Sequence, residues 1–391
     1  MKIGLICLVA AYMLSQFYRA FLAVLAPALE ADLGTTPEDL SYASGLWFLV
    51  FAAMQIPVGE ALDRVGPRLT AAGLFGLGGA GGAAVFALAQ GPGGVTAAMI
   101  LLGIGCSPVL MASYYIFARV YPAAVFATLA GTVLGLGSLG NLASSAPLAW
   151  AAGALGWRGT MWALAGLTLA IAALLWLTVQ NPPRVQTARR GSVLDLLRIP
   201  ALWLILPMML VNYAPAAGLR GLWAGPYADQ VFGADAAMIG RVTLVMGIAM
   251  IAGNLIYGPL DRLLGTRKWT VFGGNMLVVA ACLALWALPG QSLVLSTLLL
   301  AAVGFFGASF PVLIAHGRAF FPDHLAGRGV TLMNLFGIAG VGIMQIVSGR
   351  LYRAVDAGGD PTAPFTGIFA VYAGLVAAGL ILYAFARDRT D

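Results

Sequence analysis

Apolar runs of roughly twenty residues recur along this chain with only short polar breaks between them, and few folds accommodate that pattern. Of the 391 residues, 61% are hydrophobic, 9% are charged and 51 are glycine. That leaves too few polar groups to cover the surface of a water-soluble domain of this size. A bilayer core takes ~20 apolar residues as one helix. Runs at about 3–29, 40–60, 68–89, 94–118, 124–150 and 159–179, then at about 201–227, 237–259, 268–288, 292–317, 328–352 and 365–386, meet that length. The expected fold is all-α, with twelve transmembrane helices in a lipid bilayer. The first run is too long for a signal-peptide core and carries Arg19 and Pro27, so it reads as a retained helix. The polar, proline-bearing stretch Asn181 to Pro200 reads as a linker, which gives domains 1–180 and 201–391 with 181–200 between them.

Orientation follows from the basic residues. With the amino terminus inside, fifteen of the 21 Lys and Arg fall on the inner side, and only Arg158, Arg241, Arg350 and Arg353 fall outside. By the positive-inside rule both termini are expected in the cytoplasm; the membrane is expected to be a bacterial-type inner (plasma) membrane. The net charge of +6 then reflects topology and gives no reason to expect nucleic acid. Cys7, Cys106 and Cys282 lie in apolar runs without metal-ligand spacing. The Gly-rich segments lie inside helical runs, not between a strand and a helix, so they are not phosphate loops. No nucleophile–base pair, metal site or cofactor is expected, and the chain does not read as an enzyme.

Two phrases about 200 residues apart, GEALDRVGPR (Gly59 to Arg68) and GPLDRLLGTRK (Gly258 to Lys268), each put an Asp-Arg pair, a glycine and a further basic residue directly after an apolar run. Further on, CSPVLMASYYIFARVYP (Cys106 to Pro122) resembles SFPVLIAHGRAFFP (Ser309 to Pro322). In the first and seventh runs, FYRAFLAVLAPALEADLG (Phe17 to Gly34) aligns with GLRGLWAGPYADQVFG (Gly218 to Gly233), allowing a small gap, and sets Arg19 opposite Arg220. One six-helix bundle has been written twice. The doubled signature resembles the inter-helix motif of the major facilitator superfamily, and the resemblance covers almost the whole chain. It implies two pseudo-symmetric six-helix bundles acting as a monomeric secondary transporter by alternating access.

A charged side chain inside a span costs ~2.5–3.5 kcal/mol on insertion scales, so it marks a cavity or a partner. Arg19 and Arg220 are the clearest cases, each ~12–15 Å from the outer polar boundary at ~1.5 Å per residue. Tyr12 and Tyr213 each lie seven residues earlier, close to two helical turns. Gln16 shares that face, and Asn212 sits near it in the seventh run. Related halves place substrate near the midplane where they meet, and guanidinium groups grip carboxylate or phosphate oxygens through paired donors. The expected substrate is a small organic anion held between Arg19 and Arg220. The blander reading is that both arginines snorkel outward or pair with Glu30, Asp32 or Asp229.

Within the superfamily, the Tyr-Arg pair followed by proline and DLG resembles organic-anion members of the anion:cation symporter type. The paired arginines also resemble those of the glycerol-3-phosphate/phosphate antiporter. That resemblance implies that Arg19 and Arg220 bind substrate and that Asp63, Arg64 and Arg68, with Asp261 and Arg262, latch the cytoplasmic side. The fourth run lacks the buried arginine of proton-linked members, and the fifth lacks the Gly-Pro signature of drug antiporters. No carboxylate falls at mid-membrane, which favours exchange against a counter-anion or facilitated transport. His316, with a free pKa near ~6.5, is the candidate site for a coupling proton, against a structural role near the end of the tenth run. Met246 and Met250, spaced i to i+4, leave a copper importer as an alternative, beside a proton-linked exporter. A non-transporting assembly factor or sensor is the reading from another class.

Overall fold

The computed structural model describes residues 2–121, 123–183, 196–322, 325–355 and 359–390, and among these residues there are helices and no strand. The chain divides into two compact units, Met1–Gln186 and Thr187–Asp391. Of the expected linker, residues 184–195 lie outside the described residues. The first unit contains α1 (Lys2–Phe17), α2 (Leu22–Leu33), α3 (Pro37–Arg64), α4 (Pro67–Ala87), α5 (Pro92–Val120), α6 (Ala123–Ala143) and α7 (Ala146–Thr178). The second contains α8 (Leu202–Phe232), α9 (Ala236–Leu264), α10 (Lys268–Ala287), α11 (Leu293–Arg318), α12 (Ala326–Val355) and α13 (Ala363–Tyr383).

Among the described residues, ten helices have the length and apolarity to cross a membrane. The pair α1 and α2, bent by 54° to each other, meets the same length and apolarity only when the two are taken together, and the apolar part of α6, Leu129–Ala143, is shorter. The exposed side chains Leu77, Trp150, Leu177, Leu255 and Ile381 are apolar, as a surface facing lipid requires. Helix starts are set by local chemistry. Thr36 and Asp39 form a reciprocal capping box ahead of α3, with Pro37 at the first helical position. Asp235 and Ser292 accept from the backbone N–H three residues on, at 2.8 and 3.1 Å.

One expected boundary is corrected. Residues 151–158, read as a loop between the fifth and sixth runs, are helical except at Gly156. The turn is made by that residue alone, at φ 70°, a conformation that glycine adopts without strain. The fifth run is instead interrupted at Ser144 and Ser145.

Each unit brings the same spans together. The second packs on the fourth (α3 on α5, α9 on α11), the first on the fifth (α1 on α6, α8 on α12) and the third on the sixth (α4 on α7, α10 on α13). Glycines set these crossings. A Cβ on Gly140 would overlap the Met13 carbonyl, and one on Gly340 would overlap the Leu210 carbonyl. A Cβ on Gly103 would stand 2.8 Å from the Trp47 carbonyl oxygen, and one on Gly304 3.2 Å from that of Met246. The Gly-rich run in α4 does the same work, with Gly78 against Gly105 and Gly82 against Leu102. Without a hydrophobic driving force between helices in lipid, such close backbone approach is what holds a bundle together.

Candidate functional site

Arg19 lies at the break in the first span. The regular helix α1 ends at Phe17, and the Arg19 N–H reaches back only three residues, to the Gln16 carbonyl at 3.4 Å. The break is held by neighbours: Tyr18 Oη and Thr168 Oγ1 of α7 are 2.9 Å apart, and Phe17 stacks on Phe21 at 6.1 Å. Arg19 is half-buried, and its guanidinium carbon stands 4.9 Å from the Phe51 ring centre and 5.6 Å from that of Trp47, both on α3. Its Nε is buried without a hydrogen-bond partner, and among the described residues no carboxylate forms an ion pair with it. Asp32, a candidate partner from the sequence, instead accepts from Trp157 Nε1 at 2.8 Å. Aromatic faces can hold a desolvated guanidinium by about 2 kcal/mol while leaving its N–H groups outward.

Tyr12 and Gln16 meet as their spacing requires, Gln16 Nε2 donating to Tyr12 Oη at 2.7 Å. The extrapolation of that face by two turns to Arg19 does not hold, because the helix stops before it.

Arg220 sits in a different local structure. The seventh span is one long helix, Leu202–Phe232, with a break at Tyr213, ahead of Pro215, and a π turn over Leu219–Trp223. Arg220 is 2% exposed, and its Nε donates to the Thr243 carbonyl of α9 at 3.2 Å. Tyr213 packs on Phe310 with ring centres 5.2 Å apart.

The glycine crossings correct the alignment of the two arginines. Met13 and Leu210 occupy equivalent places at the crossings, as do the left-handed caps Gly34 and Gly233. Between these landmarks the chain advances 21 positions in the first unit and 23 in the second. Arg19 therefore corresponds to a place near Ala216 to Gly218, and Arg220 to one near Phe21 to Ala23. Their contacts agree. By the Gly103 and Gly304 crossings Trp47 is equivalent to Met246, so Thr243 is equivalent to Ser44. Arg19 touches its second span at Trp47 and Phe51, whereas Arg220 touches its own one to two turns further from the Asp-Arg signature.

The remaining candidates separate into packing and signature roles. Asn212 is fully buried and donates through Nδ2 to Asn275 Oδ1 and Ser309 Oγ, both at 2.9 Å, which ties α8 to α10 and α11. His316 is fully buried, with Nε2 2.8 Å from the Arg387 carbonyl and Nδ1 2.7 Å from Tyr383 Oη. A carbonyl only accepts, so Nε2 carries a proton, and in the neutral ring Nδ1 accepts from the tyrosine. Met246 and Met250 pack on Gly304.

In the first signature Asp63 pairs with Arg119 of α5 at 3.2 Å and Arg64 with Glu60 at 2.6 Å. The Arg68 guanidinium lies 5.4 Å from the Trp176 ring centre, and the Arg68 backbone N–H donates to Asn181 Oδ1 at 3.0 Å. In the second, Asp261 pairs with Arg267 at 3.5 Å, and Arg262 is exposed. Asp388 takes the place of Asn181: it accepts from the Lys268 N–H at 3.0 Å, the Arg267 N–H at 3.2 Å and the Thr266 hydroxyl. Burial raises the Asp388 pKa, but these hydrogen bonds and the nearby His316 outweigh it and hold the carboxyl below its ordinary value of 3.8.

Arg119, Asn181, Asp388 and the Trp47–Phe51 seat were not among the residues read from sequence as site residues. The i to i+4 spacing of Trp47 and Phe51 is a signal that could have found the seat; nothing local marks the other three.

A model of the Major Facilitator Superfamily matches residues 8–219. Two putative tartrate transporters of Agrobacterium vitis are 25% and 24% identical, each over 95% of this chain and covering 86% and 90% of the relative. A crystal structure of a bacterial homolog to the human lysosomal transporter Spinster superposes with a TM-score of 0.80 at 17% identity, covering 98% of this chain and 96% of that one. At that identity the superposition speaks to the fold alone.

Proposed function

The chain belongs to the major facilitator superfamily, and we propose that this multi-pass membrane transporter, which works by alternating access, carries a small organic anion bound by Arg19 and Arg220. The observation that carries the reading is Arg19: a cation inside a span, seated on Trp47 and Phe51, with no carboxylate pairing it among the described residues. A permanently charged guanidinium without an anionic neighbour, in a water-poor interior, favours an anion that brings its own charge. Arg220 contributes the second cation, with Tyr12, Gln16 and Tyr213 as hydrogen-bonding groups. Tartrate is the first candidate substrate, because it is what the two relatives of similar length are named for. A hydroxylated dicarboxylate suits paired arginines and tyrosine or glutamine donors.

Asn212 and His316 serve packing in this reading: the first pins α8 to its neighbours, the second ties α11 to residues 383–387. Coupling is then to a counter-anion or to the substrate gradient. The Asp63 and Asp261 turns, with Arg64, Arg68 and Arg262, latch the cytoplasmic side in an inner membrane, with both termini cytoplasmic and the monomer as the working unit. The test is uptake of labelled tartrate into proteoliposomes, competed by dicarboxylates, monocarboxylates, organic phosphates and neutral sugars. Competition by anions only, lost in Arg19→Ala, is expected. Competition by neutral sugars or by cations alone sinks the anion reading.

A further inference from the structure

The π turn that carries Arg220 is braced from α12. In Leu219–Trp223 the helix widens, and the Ala224 N–H reaches back five residues to the Leu219 carbonyl. Such a turn is less regular than the α-helix around it, and its position along the helix is not fixed by the backbone itself. Two residues of α12, three apart and so on one face, meet its two ends. At the start, Gln345 Nε2 donates to the Gly218 carbonyl at 3.4 Å. At the other, Trp223 Nε1 donates to Ser348 Oγ at 2.9 Å. The Ser348 hydroxyl in turn donates to the Gln345 backbone carbonyl at 3.0 Å, so the two bracing residues are also tied to each other through the main chain of α12. Gln345, Ser348 and Trp223 are all buried, at 0, 2 and 1% exposure, where no solvent competes for these bonds. From α13, Tyr372 Oη presses on Gly218 so closely that a Cβ there would overlap it.

We propose that Gln345 and Ser348 are positioning residues: they hold both ends of the π turn and thereby keep the Arg220 guanidinium at the Thr243 carbonyl. A helix turns through about 100° per residue. A π turn that slid by one residue would swing Arg220 by about a quarter of a circle and away from Thr243. The consequence for transport rests on the reading of Arg220 as a ligand for the anion; the brace itself does not.

The experiment keeps the two apart. Hydrogen–deuterium exchange of the full-length purified protein is followed for residues 218–224 in Gln345→Leu, Ser348→Ala and Ser348→Thr, the last retaining the hydroxyl. Exchange in that segment rises about tenfold in the first two, as a local opening made easier by one hydrogen bond would give. It stays at the wild-type level in Ser348→Thr and elsewhere in the protein. Unchanged exchange in Gln345→Leu and Ser348→Ala, or a general rise throughout α8 to α13, overturns the brace. In proteoliposomes the KM for tartrate rises about five- to tenfold in both variants with the maximal rate kept, and neither adds to the loss in an Arg220→Ala background. A loss of equal size with and without Arg220 overturns action through that residue. If Arg220→Ala alone leaves the KM for tartrate unchanged, the anion-site reading falls, and the exchange result still decides the brace.

Discussion

The two units share their packing and differ in how each presents its arginine. In the first, the regular helix α1 ends at Phe17, and Arg19, just past its end, lies on the faces of Trp47 and Phe51. In the second, the span continues, widened into a π turn, and Arg220 is drawn onto a carbonyl one to two turns further from the signature end of α9. Two more residues between equivalent landmarks make that difference. The lesson is that a duplicated bundle keeps its glycine crossings, which fix the distance between helices, while the stretch between them is free to diverge.

That comparison can be broken most directly at the crossings. Gly140→Ala and Gly340→Ala each force a methyl group into a facing carbonyl, and each is expected to cost about 1–3 kcal/mol or to prevent folding. Thermal unfolding in detergent checks it, and a large loss from one with none from the other would end the claim that the crossings are equivalent. Next in size is the aromatic seat. Trp47→Leu removes a ring from under Arg19 and is expected to weaken tartrate binding by about 0.5–2 kcal/mol. Met246→Leu, at the equivalent place in the second unit, leaves binding unchanged.

The caps of α4 and α10 sharpen the contrast, since one is a neutral Asn181 and the other a charged Asp388. The Asp388 pKa is depressed by folding, so its contribution to stability is complete above its unfolded value of 3.8 and is lost as pH falls through the lower folded value. Asp388→Asn is expected to lower the melting temperature at pH 7 and to lose less than wild type between pH 5 and the lowest pH the protein tolerates. Parallel curves would remove Asp388 from the account. Smallest is the Asp63–Arg119 pair, whose carboxylate is largely exposed. Asp63→Asn costs at most about 1 kcal/mol of stability, so a strong fall in tartrate uptake by a stably folded variant would be the signature of a latch.

The apolar runs made the spans legible, because the bilayer fixes their length and tolerates little else. The repeat was legible wherever glycine, proline or the Asp-Arg pair recurs. Arg19 and Arg220 stood out because charge is rare in such runs. Their exact register did not, since a letter-by-letter alignment matched arginine to arginine and placed the gap wrongly. The break after Phe17 has no proline or glycine to announce it; tertiary contacts, above all Tyr18 with Thr168, hold it. Gly156 was hidden among other glycines, and Asn181 and Asp388 act across more than a hundred residues of sequence.

The measurement that tests the central claim most directly is tartrate-dependent thermal stabilisation of the purified protein, compared among wild type, Arg19→Ala and Arg220→Ala. A ligand that binds only the native state stabilises it by about 2.7 kcal/mol at one hundred times its Kd. The account predicts a clear shift for wild type and none for either variant, both still unfolding cooperatively. A shift of the same size in both variants would contradict it.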